Sequence, residues 1–169
     1  GLLPQNTTPE EATIRIIQLD SGDVQINKLH EWGIPVDSLI TKRDAFFITL
    51  TNQSPKKQLL IVGSDARGTA YGILELSRFA GVSPWVWWGD VTPEKKNQLS
   101  LPSKYRTLQS LAVEYRVIFL KDEDWTLQPW RWKHFEPSGV DGMIGPRTYT
   151  EIFKFLLRMR ANTIWPGMH

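Results

Sequence analysis

The sequence has no cysteine, which excludes disulfide bonds, thiolate metal sites and a cysteine nucleophile. It also has no apolar run close to the roughly 18 residues that a membrane-spanning helix needs. The three histidines, His30, His134 and His169, show no spacing typical of metal ligands. We therefore expect no metal, no cofactor and no membrane span.

An excess of positive charge is missing as well. The 20 basic residues nearly balance the 18 acidic ones, the net charge is +2, and no basic stripe is visible, so a nucleic-acid partner is not expected. Hydrophobic residues make up 41% and charged residues 22%, as in an ordinary globular protein. No signal peptide is present, and position 1 is Gly rather than Met, as after tag removal, so we expect that a leader is missing from this chain.

The first half of the chain predicts a mixed sheet with helical cover, assigned to an N-terminal α/β domain over residues 1–104. A polar leader occupies the first 11 residues. The β-branched and apolar runs that follow predict strands, and an apolar pattern at helical spacing predicts a helix that ends at Gly81. The predicted strands cover 12–19, 45–51, 58–62 and 97–101, and the helix covers 67–80 with Ile73 on its apolar face. The segment 82–88 is expected to be extended.

The segment Gly63–Gly68 joins a predicted strand to this helix. It lacks both glycine patterns of phosphate-binding loops, so a tight structural turn is the better interpretation. We expect Asp65 to cap the helix, and Gly68 and Gly72 to let the helix approach the sheet. Arg67 is predicted to pair with a carboxylate across a domain boundary.

The second half, 105–169, predicts the start of a (β/α) barrel. A strand buried on both faces is expected over 114–120, followed by a long loop over 125–145. A helix is expected over 146–162, with Pro146 in its first turn and a capping box formed by Thr148 and Glu151. Its apolar side chains recur at helical spacing on one face, which begins with Tyr149. The next strand begins at Thr163, which completes a βαβ unit.

Candidate binding residues lie where the two strands of this unit end. Asp122 and Glu123 follow the first strand, and Trp165 ends the second. Side chains at the carboxyl ends of barrel strands line the active site, where carboxylates bind sugar hydroxyls or transfer protons. The alternatives are a solvated acidic turn and a packing residue at the rim.

Tryptophan is unusually frequent. Seven of the eight tryptophans lie at or beyond Trp85. An indole stacks well on a sugar ring, but core packing and contacts between domains are the more general explanation. Trp85 and Trp88 are accordingly assigned a structural, interdomain role.

Three segments, in the same order, resemble glycoside hydrolase family 115. The first runs from Gly63 to Gly72 and continues over 81–90; the second is Tyr115–Trp125 with 127–130; the third is Leu156–Pro166. The resemblance covers the chain from about Leu60 onward, and the first 55 residues match only loosely.

The resemblance implies an inverting xylan α-glucuronidase that removes glucuronic acid, often 4-O-methylated, from a polysaccharide or oligosaccharide substrate. It implies an N-terminal domain like that of hexosaminidases, followed by a TIM-type barrel that is incomplete at residue 169. The catalytic acid and base are then expected beyond His169, so this chain alone is expected to be inactive, and a periplasmic or secreted location is expected.

Two positions depart from the family pattern. Lys121 stands where Asn usually precedes Asp-Glu, and Gly167 stands where Ala usually follows Trp-Pro. Sugar specificity therefore stays open. The alternatives are a related glycosidase that acts on another sugar and a non-catalytic carbohydrate-binding or interaction module; the oligomeric state is undetermined.

Overall fold

The chain forms two compact units in a computed structural model that describes residues 13–22, 24–53, 57–122, 127–137 and 144–167. The first unit comprises residues 1–82 and 93–112, and the second comprises 83–92 and 113–169. These units differ from the expected division at 104/105, because 83–92 lie with the second unit and 105–112 with the first. The predicted leader lies outside the described residues.

A mixed sheet of four strands in the order β1-β3-β2-β4 forms the centre of the first unit. β1 runs parallel to β3, whereas β2 is antiparallel to both β3 and β4. The strands are β1 (Ile14–Gln18), β2 (Phe46–Thr51), β3 (Gln58–Gly63) and β4 (Arg106–Gln109), and the helices are α1 (Ile26–Glu31), α2 (Val36–Ile40) and α3 (Ala66–Phe79). The predicted mixed sheet with helical cover is confirmed.

Helices cover both faces of this sheet. Phe47 and Val62 face the side on which Leu29 of α1 and Leu39 of α2 complete a hydrophobic core. α3 packs on the other side, against β2 and β3. All six residues of β3 are therefore buried, as its nearly continuous apolar run predicts.

Two glycines set the distance between α3 and the sheet. A side chain at Gly68 would collide with the backbone of Ala45, and one at Gly72 would lie 2.6 Å from Ile61 Cγ2. The predicted close approach is confirmed, but it also turns a different side of α3 inward. Tyr71 and Glu75 are buried next to the glycines, whereas Ile73, from the predicted apolar face, is 39% exposed.

Hydrogen bonds from Asp65 join the start of α3 to the start of β2. Its Oδ1 accepts from Gly68 N at 2.7 Å, which confirms the predicted helix cap, and its Oδ2 accepts from Asp44 N at 2.8 Å. Arg67 Nε donates to Asp44 Oδ1 at 2.8 Å. The expectation that Arg67 pairs across a domain boundary is wrong, because its partner, the Asp44 carboxylate, belongs to the same unit.

The second unit contains two parallel strands joined through a helix. These are β5 (Val117–Leu120) and β6 (Thr163–Pro166), with α5 (Pro146–Arg158) between them. The predicted strand–helix–strand order is confirmed. The loop expected over 125–145 is partly helical, because α4 (Leu127–Trp130) continues into a π-helix (Arg131–Phe135).

Arg116 and Asn162 hold the amino ends of β5 and β6 together. Arg116 N donates to Asn162 Oδ1 at 2.9 Å, and Asn162 Nδ2 donates to Glu114 O at 2.7 Å. The Arg116 guanidinium donates to the carbonyls of Arg160 and Val113. These bonds satisfy backbone groups where the ladder begins, so this end of the strands is a structural junction.

Two local expectations are wrong. Residues 97–101 form no strand, and the edge position is taken by β4, whose register with β2 begins at Phe46 and Gln109. The segment 82–88 is turned rather than extended, because Val86 N donates to Ser83 O and Gly89 N donates to Trp85 O.

No helix in the described part of the chain has both the length and the apolar character to cross a membrane.

Asp65→Ala should destabilise the first unit. The change removes the cap of α3 and leaves the Asp44 N–H without its carboxylate acceptor, so we expect a loss of about 2–4 kcal/mol in unfolding free energy. Urea denaturation followed by circular dichroism measures it. The exposed Glu94 serves as the control, and Glu94→Ala should change stability by less than about 0.5 kcal/mol. Equal effects of the two changes would contradict the assigned role of Asp65.

Candidate functional site

The two faces of the β5–β6 pair differ in exposure. Ile118 and Leu120 face a cavity of about 440 Å³ that Ile152 and Leu156 of α5 also line. On the opposite face Phe119 pairs in register with Trp165, and these side chains are 54% and 64% exposed. The expected burial of β5 on both faces is not found in this chain, because α5 covers one face and leaves the other open.

Asp122 lies just past the carboxyl end of β5 and is 1% exposed. Its Oδ2 accepts a hydrogen bond of 2.6 Å from the Tyr149 hydroxyl, and its Oδ1 accepts one of 2.8 Å from Gly167 N. Tyr149 belongs to the first turn of α5 and Gly167 directly follows β6. One carboxylate thus joins the ends of both strands to the start of the helix between them.

The environment of Tyr149 favours the protonated phenol. Burial, the hydrogen bond to Asp122 and the negative charge of that carboxylate raise the pKa of Tyr149 to about 12. The hydroxyl therefore remains a donor to Asp122 throughout the physiological pH range. A phenolate at this position would place two negative oxygens in direct contact.

The amino end of α5 is capped by a residue from outside the helix. Glu136 is buried, and its carboxylate accepts from Thr148 Oγ1 at 2.9 Å and from the backbone N–H groups of Arg147 and Thr148 at 3.3 Å. Burial acts to raise the pKa of Glu136, but the hydrogen bonds from Thr148 and Arg147 outweigh it and lower that pKa. A negative charge at a helix amino terminus is also favoured by the helix dipole.

The predicted capping box of Thr148 and Glu151 is therefore wrong. Gly145 occupies the N-cap position without a side-chain cap, and Glu151 instead pairs with Lys154 at 2.7 Å. The Thr148 hydroxyl is used by Glu136, which approaches from the end of the π-helix.

Aromatic side chains from three segments of the second unit pack together. Trp85 contacts Phe155 with ring centroids 4.5 Å apart, and Trp87 lies 4.6 Å from Trp88 and 5.8 Å from Trp130. The Trp88 indole donates to Glu151 O at 3.4 Å. These contacts of Trp85 and Trp88 fall within the second unit, whereas an interdomain role was expected.

The predicted site residues lie in different places in the structure. Asp122 and Trp165 lie at the same ends of neighbouring strands, but Asp122 is turned inward while Trp165 is exposed. Glu123 lies outside the described residues. Asp65 and Arg67 belong to the first unit, where they organise a turn. Among the described residues, no group of His, Asp or Glu side chains is arranged to hold a metal ion.

The hydrogen-bond partners of two carboxylates, Asp122 and Glu136, could not be predicted from the sequence. Tyr149 falls on the predicted apolar face of α5, which places it near β5 but leaves its hydroxyl unassigned. Glu136 lies in a segment predicted as loop. Both contacts depend on how separate segments fold against α5.

Comparison with known proteins finds a family model that matches the carboxyl-terminal part of the chain. Residues 109–169 match the model of glycosyl hydrolase family 115. A similar solved structure is described as a novel family GH115 4-O-methyl-α-glucuronidase, BtGH115A, with specificity for decorated arabinogalactans. Identity is 50% and the TM-score 0.79, and the match covers 93% of this chain and 20% of that chain. No curated protein matches.

Tyr149→Phe should change stability at alkaline pH. A folded-state pKa of about 12, above the ordinary value of 10.0, means that the stabilisation is complete below pH 10 and is lost as pH rises toward 12. The variant should lose about 1–3 kcal/mol at neutral pH, since buried Asp122 loses a donor, and should lack this alkaline dependence. Urea midpoints between pH 8 and 12 test this, with exposed Tyr115→Phe as the control. Parallel pH profiles for wild type and Tyr149→Phe would refute it.

Glu136→Gln should flatten the acid limb of the stability curve. Because the folded-state pKa of Glu136 is lowered, its stabilisation is present above the ordinary value of 4.5 and is lost as pH falls through the folded value. The wild type should therefore lose stability below pH 4.5 more steeply than the variant. Thermal melts between pH 3 and 7 measure this, with Glu94→Gln as the control. An unchanged acid slope in Glu136→Gln would show that Glu136 is not the group that titrates.

Proposed function

We propose that this chain belongs to glycoside hydrolase family 115 and is part of an enzyme that removes glucuronic acid or its 4-O-methyl derivative from the side branches of a polysaccharide. The observation that carries this is the 50% identity to a 4-O-methyl-α-glucuronidase over 93% of the chain, together with the family match over 109–169. The chain spans 20% of that relative's length, so the proposed activity is that of the whole protein.

The second unit is proposed to begin a TIM-type barrel, and the first to be the hexosaminidase-like domain that precedes it. The parallel pairing of β5 and β6, with α5 between them, supports this assignment because barrels are built from repeated βαβ units. In such a barrel the carboxyl ends of the strands carry the active site. Asp122 and Trp165 lie at those ends.

Three residues are proposed to take part in substrate binding, namely Asp122, Glu123 and Trp165. The exposed indole of Trp165 offers a flat apolar surface on which the C–H face of a sugar ring can stack. The acid and base of an inverting reaction have to stand on opposite sides of the glycosidic bond with room for a water molecule. They are proposed to come from residues beyond His169, and the engagement of Asp122 in internal hydrogen bonds supports this.

Two polymers are candidate substrates. The family resemblance implies xylan, whereas the relative at 50% identity is described as specific for decorated arabinogalactans. We favour the arabinogalactan side chain, because the similarity to this relative extends through both units. Polymers of this kind are met outside the cytoplasm, which supports a periplasmic or secreted location.

Release of sugar from two polymers tests the function. The whole protein should release glucuronic acid or 4-O-methylglucuronic acid from decorated arabinogalactan at least about tenfold faster than from glucuronoxylan, a difference of about 1.4 kcal/mol in activation free energy. Chromatography of the released acid gives both rates. Faster release from glucuronoxylan would assign xylan instead. Binding of either polymer without any release would refute the hydrolase and support a binding module.

A further inference from the structure

The carboxylate of Asp122 is directed toward the first turn of α5, where it accepts from the Tyr149 hydroxyl. With 1% of its surface exposed, it has no open side from which a sugar hydroxyl could approach. Its two oxygens accept from Tyr149 and from Gly167 N instead. Burying a charged carboxylate is costly unless such donors compensate it, so these bonds are an integral part of the fold.

The bond to Gly167 fixes the end of β6. Gly167 N donates both to Asp122 Oδ1 at 2.8 Å and to Leu120 O at 3.0 Å, so two acceptors from the end of β5 share one donor. Trp165 lies two residues before Gly167 and pairs in register with Phe119. The backbone that carries the indole is therefore held at the point where the regular ladder stops.

The bond to Tyr149 ties the same point to α5. Tyr149 belongs to the first turn of the helix, whose amino end is independently held by Glu136. The Asp122 carboxylate thus has a fixed donor on the helix as well as one on β6. A change at Asp122 should loosen the end of β6 more than the body of the helix.

We propose that Asp122 is a positioning residue that acts on substrate binding through Trp165, by fixing the end of β6 and hence the orientation of the exposed indole. This rests on the proposed function, since it assumes that the rim of β5 and β6 meets the sugar. Asp122 then contributes to affinity without touching substrate and without exchanging a proton during the reaction.

A double-mutant cycle on the whole protein tests this. If Asp122 acts through Trp165, both Asp122→Ala and Trp165→Ala should raise KM about tenfold while kcat stays within about threefold, and the double variant should be no worse than Trp165→Ala alone. Exposed Tyr115, near the opposite end of β5, is the control, and Tyr115→Ala should leave KM unchanged. If the increases in KM of the two single variants multiply in the double variant, the proposal is overturned.

Asp122→Asn separates positioning from chemistry. Asn has nearly the same shape and keeps an oxygen that can accept from Gly167 N, so it should restore KM to within about threefold of wild type. An acid, a base or a charged substrate contact would instead be lost as fully in Asp122→Asn as in Asp122→Ala. The pH dependence of kcat should also be the same in wild type and Asp122→Asn. If the acidic or alkaline limb of the pH–rate profile is missing in Asp122→Asn, the proposal is overturned.

Folding and function are distinguished in the same experiment. Circular dichroism and the melting temperature of each variant identify loss of fold. If Asp122→Ala does not fold, Tyr149→Phe replaces it in the cycle, because this change removes one of the two hydrogen bonds to Asp122. The double variant with Trp165→Ala should then again be no worse in KM than Trp165→Ala alone. A wild-type protein that releases no uronic acid refutes the proposed function and this inference with it. An active wild type with independent effects of Asp122 and Trp165 refutes the inference alone.

Discussion

A buried carboxylate must receive hydrogen bonds or a positive charge, and in this protein that requirement determines how segments are joined. Four carboxylates are buried in the described part of the chain, belonging to Asp44, Glu75, Asp122 and Glu136. Two of them form ion pairs, Asp44 with Arg67 and Glu75 with Arg78. The other two accept hydrogen bonds, Asp122 from Tyr149 and Gly167, and Glu136 from Thr148 and Arg147. Three of the four link segments distant in sequence, and each of these lies at the end of a helix or strand.

This arrangement gives the second unit its asymmetry. The two ends of the β5–β6 pair are held in different ways, by Arg116 and Asn162 at the amino end and by Asp122 at the carboxyl end. The exposed aromatic side chains Phe119 and Trp165 lie on the face that α5 leaves open. The proposed α-glucuronidase would thus present the Trp165 indole at the end of β6, where the Asp122 carboxylate accepts from the backbone N–H of Gly167.

The sequence predicted most of the elements but fewer of their faces. The strands β2 and β3 and the helix α3 follow from their apolar patterns, and the cap by Asp65 follows from its position before the helix. The buried side of α3 follows only in part, because the glycines indicate the close approach to the sheet while the apolar pattern places Ile73 on the buried face, and Ile73 is exposed. The edge strand β4 was misplaced because an edge is defined by its pairing with β2 rather than by its own residues.

The same division holds at the candidate site. The sequence by itself determined the family resemblance, the βαβ order and the position of Asp122 and Trp165 at strand ends, since these depend on local pattern and on motifs. Only the tertiary structure decided that Asp122 faces inward to Tyr149 and Gly167 while Trp165 stays exposed. It also decided that Glu136, not Glu151, caps α5. The physical reason is that a carboxylate can accept from any donor that folding brings within hydrogen-bonding distance, and separation along the chain does not encode that distance.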